Sequence, residues 1–306
     1  MKKVTVFAPA SIGNIGPGFD LLGMAIANMG DTVTATRVRQ SGVTISKITG
    51  AQGLSNHPDQ NTAGISAQAV LSHLTIKEGV DLVLHKGVLG TGLGSSAASA
   101  VAAAFAVHLL FEGKLEKTEL IPLAAIAESK VSGGFFLDNI GPSMMGGVTW
   151  NNAITKEVCS LGVLDKAIVV LAVPDFSLLT RESRKALPKL ITMEQFISNM
   201  AYASMMAWAV AKKDVRRFGQ SIHDLVAEPV RAPLIKGFDA VKKGAIEAGA
   251  LGCSISGAGA SVFAMTDDPK KARKIGAAMR AGFCQHKVMA KIVITTIDKK
   301  GAREVS

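Results

Sequence analysis

The sequence predicts an α+β protein of two domains with largely antiparallel sheets. Strand patterns and helical spacings follow one another without strict βαβ alternation, which favours antiparallel pairing. At 306 residues, 48% of them hydrophobic, the chain is long enough for two cores. The glycine loops of the first half end near residue 155, so the domains are placed at 1–155 and 156–306.

Apolar periodicity defines the elements of the first half. Val33 and Ala35 alternate with polar residues, as expected of a half-buried strand. A loop rich in proline and glycine is expected over 9–18, after the first strand. Strands are expected over 4–8, 31–38, 43–48 and 80–86, and again within 142–150. Helices are expected over 61–74, 97–111 and 117–131.

The second half begins with an apolar run over 167–173, typical of a buried strand, which Pro174 ends. Further strands are expected over 253–255, 261–265 and 290–297. Helices are expected over 181–187, 193–212, 215–225, 236–248 and 269–282.

Composition excludes several classes of protein. The three cysteines show no CxxC spacing, so neither a zinc site nor a disulfide framework is expected, and a reduced, cytoplasmic compartment fits. The net charge of +10 suits an anionic ligand such as a nucleotide, but no Lys/Arg run interleaved with aromatics indicates nucleic acid. The basic N-terminus leads into a strand pattern rather than a signal peptide.

The longest uncharged stretch, 87–111, is not expected to cross a membrane. It contains no Asp, Glu, Lys or Arg over 25 residues, but half of its first eight residues are glycine. A membrane span needs about 20 predominantly apolar residues, and only 97–111 has a helical pattern. We therefore expect a glycine loop that leads into a buried, Ala-rich helix.

The glycine pattern over 90–96, GTGLGSS, indicates an anion site at the start of that helix. Glycines let backbone N–H groups approach an anion, and the helix adds more N–H groups and the positive end of its dipole. No lysine follows the last glycine, so this is not a Walker A motif, and the dinucleotide spacing is absent. The alternative is a tight strand-to-helix turn capped by a serine.

Two further glycine loops lie near the start and the end of the chain. The first, over 8–20, holds Asn14 and Asp20, an amide and a carboxylate that could bind the hydroxyl and the ammonium of an amino acid. Taken alone, the loop is better explained as an Asx-type turn. The second, over 251–261, permits close backbone approach or forms a plain tight turn.

Together and in this order, the three loops resemble those of the GHMP kinase superfamily, over essentially the whole chain. Segments 59–64, 138–142, 180–188 and 228–235 are similar to the branch that phosphorylates L-homoserine. The resemblance implies an N-terminal ribosomal-S5-like domain and a C-terminal ferredoxin-like domain. It also implies an ATP-dependent enzyme of threonine biosynthesis, working as a homodimer.

The resemblance implies a site for ATP and Mg²⁺. Ser96 and Glu128 are expected to bind Mg²⁺, which prefers oxygen ligands, and Asn61 and Lys86 are expected near the adenine. The nucleotide-binding residues so implied are Asn61, Lys86, Gly87, Val88, Leu89, Gly90, Thr91, Gly92, Leu93, Gly94, Ser95, Ser96 and Ala97.

It also implies a site for L-homoserine. Asp20 would pair with the ammonium, Arg184 and Arg231 would hold the carboxylate, and Asn14 and Asn139 would orient the hydroxyl. The substrate-binding residues so implied are Asn14, Asp20, Asp138, Asn139, Thr180, Arg184 and Arg231. The catalytic residues so implied are Asn14, Asp138, Asn139 and Arg184.

Phosphoryl transfer is expected to depend on positioning and charge stabilisation. Asn139 stands where mevalonate kinases are expected to have an Asp base, so no dedicated strong base is expected unless Asp138 reaches the hydroxyl. Phe136 replaces a histidine common in this branch, which removes a polar contact from the pocket edge.

Two alternatives remain at this point. Another GHMP enzyme of the mevalonate type would leave Asp20 unexplained, because such substrates carry no ammonium. A catalytically silent sensor of ATP and a metabolite would not need Ser96 and Glu128.

Overall fold

Two β-sheets and the helices packed on them build the molecule. The computed structural model describes residues 1–88, 90–132, 134–152 and 154–305. Its strands are β1 Lys3–Ile15, β2 Gly18–Val38, β3 Val43–Thr49, β4 Gly79–His85, β5 Val148–Asn152, β6 Glu157–Gly162, β7 Ile168–Pro174, β8 Gly252–Ile255, β9 Val262–Thr266, β10 Ala290–Thr296 and β11 Arg303–Glu304. Its α-helices are α1 Thr62–His73, α2 Ser95–Leu110, α3 Lys117–Ser132, α4 Leu137–Met145, α5 Thr180–Lys185, α6 Met193–Ala211, α7 Val215–Gln220, α8 Ala227–Arg231, α9 Phe238–Glu247 and α10 Pro269–Gln285.

The first sheet has the order β11-β1-β2-β4-β3, with β5 beside β2 and β6 beside β5. Its pairs are antiparallel except β3 with β4. Helices α1 to α4 bury an aliphatic core against it. Within that core α2 is buried on almost every side, and its alanines allow close packing against the sheet and the neighbouring helices. Within the described ranges, no helix is long and apolar enough to span a membrane.

The second sheet has the order β10-β7-β9-β8, and all of its pairs are antiparallel. Numbered within this half, the strands lie in the order fourth, first, third, second, as in a ferredoxin-like βαββαβ unit. Phe238 and Val241 of α9 and Ile275, Met279 and Phe283 of α10 pack on one face of the sheet. The α+β class and its antiparallel sheets are therefore confirmed.

The loop expected over 9–18 is instead the tip of a long hairpin. β1 continues to Ile15 and β2 begins at Gly18, well before the strand start expected at Asp31. Register shifts between Pro9 and Ala10 and between Gly13 and Ile15 accommodate the irregular residues. Cross-strand pairing thus overrides the turn signals of proline and glycine, and it gives the tip a defined position.

Asp138 and Asn139 lie in the first turn of α4, which begins at Leu137, where the sequence pattern predicted no helix. Pro142 lies inside this helix, where a sequence pattern favours a break. The helix forms because it is buried between the first sheet and its neighbouring helices, and such packing supplies most of the stability of a short helix. β6 and α8 are further elements that the sequence pattern did not reveal.

The chain passes from the first sheet to the second between Gly162 and Ile168. Strand β11 then pairs with β1, so the last described residues belong to the first sheet again. Residue 155 lies in the turn between β5 and β6, which are paired strands of one sheet. The division into 1–155 and 156–306 stays a prediction.

Candidate active site

A cleft of about 260 Å³ lies between the glycine loop before α2, the hairpin tip and helices α3, α4 and α5. The residues expected at a ligand site that line it are Asn14, Asp20, Gly90, Thr91, Gly92, Gly94, Ser95, Ser96, Ala97, Glu128, Asp138, Asn139, Thr180, Arg184 and Arg231. Phe136, Leu178, Leu179, Gly257 and Ala258 also line it. Residues far apart in sequence therefore share one wall.

The three glycine loops are joined directly by hydrogen bonds. The backbone N–H of Gly257 donates to the carbonyl oxygen of Gly13 at 3.0 Å, and the Ser256 hydroxyl donates to the carbonyl oxygen of Gly92 at 2.6 Å. A Cβ on Gly92 would lie 2.3 Å from the Ser256 carbonyl oxygen. Glycines in these loops thus allow close contact between backbones.

The central loop ends in a helix start suited to an anion. Gly90, Gly92 and Gly94 have φ values of +65°, +82° and +64°, a conformation that glycine adopts readily. Gly94 immediately precedes α2, so the first residues of the helix, Ser95 and Ser96, line the cleft with N–H groups that no preceding helical turn can satisfy. Such N–H groups and the helix dipole favour a negatively charged ligand.

Gly94→Ala is expected to raise the KM for ATP about ten-fold or more, because the new methyl group must displace the loop. A Cβ on Gly94 would lie 2.1 Å from Ser11 Oγ and 2.9 Å from Asn139 Oδ1. Gly42→Ala is the matched control, since Gly42 also has positive φ, +96°, but a Cβ there meets nothing within 4 Å. Steady-state kinetics on both variants make the comparison, and an unchanged KM in Gly94→Ala would contradict it.

Four residues expected at the nucleotide lie beneath the loop, away from the cleft wall. The backbone N–H groups of Gly87 and Val88 donate to Asp31 Oδ1 at 2.9 and 3.2 Å. Lys86 pairs with the same carboxylate, and Leu93 is fully buried in the core. The amides of Gly87 and Val88 are therefore occupied, which does not support the triphosphate contact expected of them. The expected Leu89 lies outside the described residues.

Asn61 has a structural contact of its own. Its side-chain oxygen caps α1 by accepting from the backbone N–H of Ala63 at 3.0 Å, and its side-chain nitrogen donates to the Ser55 carbonyl oxygen at 2.9 Å. The adenine contact of Asn61 stays a prediction. The adenine contact of Lys86 is untested as well, but the ion pair of its ammonium with Asp31 disfavours it.

The hairpin tip holds Asn14 and Asp20 in left-handed conformations, with φ of +52° and +55°. The Asn14 side-chain oxygen accepts from the backbone N–H of Asp20 at 2.9 Å. The Asp20 carboxylate accepts from Arg184 Nη2 at 2.8 and 2.9 Å. Two residues expected to contact an amino acid thus pair with each other here, one negative and one positive.

Aromatic rings hold the two arginines of the cleft. The Arg184 guanidinium lies 4.2 Å from the ring centre of Phe136, and that of Arg231 lies 4.9 Å from the ring centre of Phe19. Both distances are typical of cation–π contacts. Arg231 also donates to the Gly257 carbonyl oxygen at 3.2 Å, and burial lowers its pKa. The ring of Phe136 therefore contacts an arginine at the edge of the cleft.

Asp138 is a buried acid of the cleft with a strongly raised pKa. Burial first, and then the negative charges of Asp20 and Glu128, raise its pKa to about 7, while Arg184 acts in the opposite direction. Among the described residues, Oδ2 of Asp138 has no hydrogen-bond partner. A carboxyl group with these properties can exchange a proton near neutral pH.

Asn139 is fixed by a neighbour that the sequence pattern did not reveal. Its Oδ1 accepts from the hydroxyl of Ser11 at 2.9 Å, and the backbone N–H of Ser11 donates to the Leu93 carbonyl oxygen at 3.1 Å. Ser11 thereby links the hairpin, α4 and the glycine loop. In the sequence, only its place between the apolar residues Ala10 and Ile12 could have indicated this role.

Ser96 and Glu128 line the same cleft from α2 and α3, and Glu128 is buried. A hydroxyl and a carboxylate fit Mg²⁺, which usually takes few protein ligands beside phosphate oxygens and water. Across the described part of the chain, no group of three or more His, Cys, Asp or Glu residues could hold a metal by itself. The fit is therefore to a metal that arrives with a phosphate ligand.

Comparison with known proteins agrees with this geometry. Residues 61–147 match the family model for the GHMP kinases N terminal domain, and residues 206–283 match that for GHMP kinases C terminal. Together with the phosphate-type loop, these matches define the class: the chain belongs to the GHMP kinases. Solved mevalonate kinase structures, such as that from L. major at 15% identity and a TM-score of 0.73, share the fold.

Within that class the chain is similar along its whole length to homoserine kinases. A homoserine kinase from Arabidopsis thaliana is 43% identical and aligns over 99% of this chain and 85% of its own. One from Chlorobium phaeobacteroides is 36% identical over the full length of both chains. The solved homoserine kinase of Cytophaga hutchinsonii has a TM-score of 0.94 at 36% identity, over 100% of this chain and 98% of that one. The chain is a member of the homoserine kinase family.

Proposed function

We propose that this chain transfers the γ-phosphoryl group of ATP to the side-chain hydroxyl of L-homoserine, giving O-phospho-L-homoserine for threonine biosynthesis. The observation that carries the proposal is a single cleft that combines an anion-binding helix start with paired acidic and basic side chains. Family membership at 34–43% identity supports the choice of substrate.

The ATP triphosphate is assigned to the loop 90–97. Backbone N–H groups of the loop and of the first turn of α2 would donate to phosphate oxygens, and the helix dipole would stabilise their charge. Ser96 and Glu128 would hold Mg²⁺, which when bound neutralises charge on the phosphates. None of these contacts needs a lysine, in accord with the absence of a Walker A motif.

The amino acid is assigned to the other end of the cleft. L-Homoserine carries an ammonium and a carboxylate, so it can exchange partners with the Asp20–Arg184 pair. Arg231 supplies a second positive charge for the carboxylate, and Thr180, at the start of α5, borders the same space. Asn14 and Asn139 remain the side chains assigned to the hydroxyl.

The transfer step forms a bond between the hydroxyl oxygen and the γ-phosphorus while the bond from that phosphorus to ADP breaks. Because the transition state is loose, deprotonation of the hydroxyl can be late, and a strong base is not required. Asn139 cannot accept the proton. Asp138, with a pKa of about 7, can take it.

The substrate is tested by measuring ADP release with L-homoserine, L-serine, L-threonine and mevalonate as acceptors. We expect turnover with L-homoserine at least ten-fold above that with the other three, because only it combines the amino-acid charges with a hydroxyl at this chain length. Preferred turnover of mevalonate would show another GHMP activity. ATP binding without turnover of any acceptor would indicate a silent sensor.

We also propose a cytoplasmic homodimer. Among the described residues, Cys159, Cys253 and Cys284 are free thiols, in keeping with a reducing compartment. Met193 and Ile197 of α6 are 69% and 58% exposed, and such an apolar surface suits contact between two copies.

A further inference from the structure

A buried ion pair lies directly beneath the glycine loop. Lys86 lies between the end of β4 and the start of the glycine loop, and Asp31 lies within β2. The Asp31 side chain is 0% exposed and that of Lys86 7% exposed, and their charged groups are in contact. Neither residue belongs to the cleft wall described above.

Asp31 holds the start of the loop. Its Oδ1 accepts from the backbone N–H groups of Gly87 and Val88, at 2.9 and 3.2 Å. Its Oδ2 accepts from the Ser99 hydroxyl at 2.6 Å and from the Lys86 ammonium. One carboxylate therefore fixes the first two amides of the loop relative to the second turn of α2.

Lys86 holds the end of the loop. Its Nζ donates to the carbonyl oxygen of Ser95, the first residue of α2, at 2.9 Å. It also contacts the Ser99 hydroxyl at 2.7 Å. The three donor positions of the ammonium are thus directed to Asp31, Ser95 and Ser99, which leaves little capacity for a nucleotide contact.

A buried ion pair is weak evidence for stability, since burying two charges costs about as much as their attraction returns. This pair instead joins the two ends of a segment that contains three left-handed glycines, Gly90, Gly92 and Gly94. Such a segment has many accessible conformations when its ends are free. Fixing both ends restricts these glycines to the conformation in which they line the cleft.

We infer that Asp31 and Lys86 are positioning residues for ATP: they set the phosphate-binding conformation of the loop without touching the nucleotide. This inference rests on the proposed function. The turnover of the wild-type enzyme with L-homoserine tests that function separately. A failure of the proposed function can therefore be distinguished from a failure of the positioning role.

The experiment compares Asp31→Asn, Lys86→Met and the milder Ser99→Ala with a matched control, Asp298→Asn. Asp298 is also a buried carboxylate that accepts from two backbone N–H groups, those of Lys300 and Gly301, and from Arg303, but it lies away from the cleft. KM values for ATP and L-homoserine, kcat and Tm are measured for each variant.

We expect Asp31→Asn and Lys86→Met to raise the KM for ATP at least ten-fold and Ser99→Ala about three-fold, while the KM for L-homoserine changes less than two-fold. Asp298→Asn is expected to lower Tm and to leave both KM values unchanged. The double variant Asp31→Asn/Lys86→Met, which leaves no unpaired charge, is expected to recover Tm but not the KM for ATP.

Equal changes in both KM values, or a double variant with wild-type KM for ATP, would overturn the inference and leave the pair a structural one. If Asp31→Asn or Lys86→Met does not fold, the double variant and Ser99→Ala decide. The increase in Tm on addition of Mg-ATP gives a second readout. This increase should be smaller in these variants than in wild type and unchanged in Asp298→Asn.

Discussion

Asp138→Asn is expected to lower kcat by a factor of about 10²–10⁴, the usual contribution of a positioned general base. The asparagine keeps the size of the side chain at the start of α4 but cannot accept the hydroxyl proton. The KM for ATP should stay within about two-fold of the wild-type value, because the phosphate contacts are proposed for α2 and its loop. Steady-state kinetics with both substrates measure the two effects.

The pH dependence follows from the raised pKa of Asp138, about 7. The carboxylate needed to accept a proton forms only as the pH rises through that value, so kcat/KM for L-homoserine should rise between about pH 6 and 8. Asp138→Asn should remove this rise. A loss of kcat smaller than ten-fold in the variant would support transfer without a base.

The free energy of unfolding should fall over the pH range in which kcat/KM rises. The pKa of Asp138 is higher in the folded chain than its ordinary value of 3.8, so the folded state binds the proton more tightly. The stability associated with that proton is complete below about pH 4 and is lost as the pH rises to about 7. Asp138→Asn is therefore expected to be more stable than wild type at pH 8, by up to about 4 kcal/mol, but not at pH 4. Thermal unfolding at both values provides the comparison.

Arg231→Leu and Arg184→Met are expected to raise the KM for L-homoserine about 10²-fold or more, with less than a five-fold change in the KM for ATP. Removal of one partner of a buried charge pair typically costs about 2–5 kcal/mol, and Arg231 is buried before any substrate binds. Both guanidinium groups line the cleft, and Phe136 and Phe19 hold them by their ring faces. Steady-state kinetics on the purified variants measure both constants.

Arg37→Met is the matched control for these variants. Like Arg231, Arg37 donates to a carbonyl oxygen, that of Leu110 at 2.8 Å, and lies over a phenylalanine, Phe111 at 4.5 Å, but it is remote from the cleft. Its removal should lower stability and leave both KM values unchanged.

A substrate analogue distinguishes loss of carboxylate binding from a general loss of activity in the arginine variants. 3-Aminopropan-1-ol has the ammonium and the hydroxyl of homoserine but no carboxylate. Wild type should prefer L-homoserine strongly, and Arg184→Met and Arg231→Leu should lose most of that preference. An unchanged preference, or equal increases in both KM values, would contradict the carboxylate role.

Local patterns predicted much of the fold. Helices α1, α2, α3, α6 and α10 and most strands of the second sheet lie where apolar periodicity placed them, because their burial follows the repeat of the element itself. Turn signals were less reliable. The residues of the 9–18 segment and of α4 adopt regular structure only because partners far along the chain pair with them or bury them.

In the cleft, too, some features followed from the sequence and others only from the tertiary structure. The sequence alone determined the glycine loop, its helix start and the family, since these depend on residues close together in a motif. Only the tertiary structure decided that Asp31 occupies the amides of Gly87 and Val88, and that burial raises the pKa of Asp138. Both effects depend on what surrounds a charge in space. No local sequence pattern encodes that environment, because its members are separated by dozens of residues.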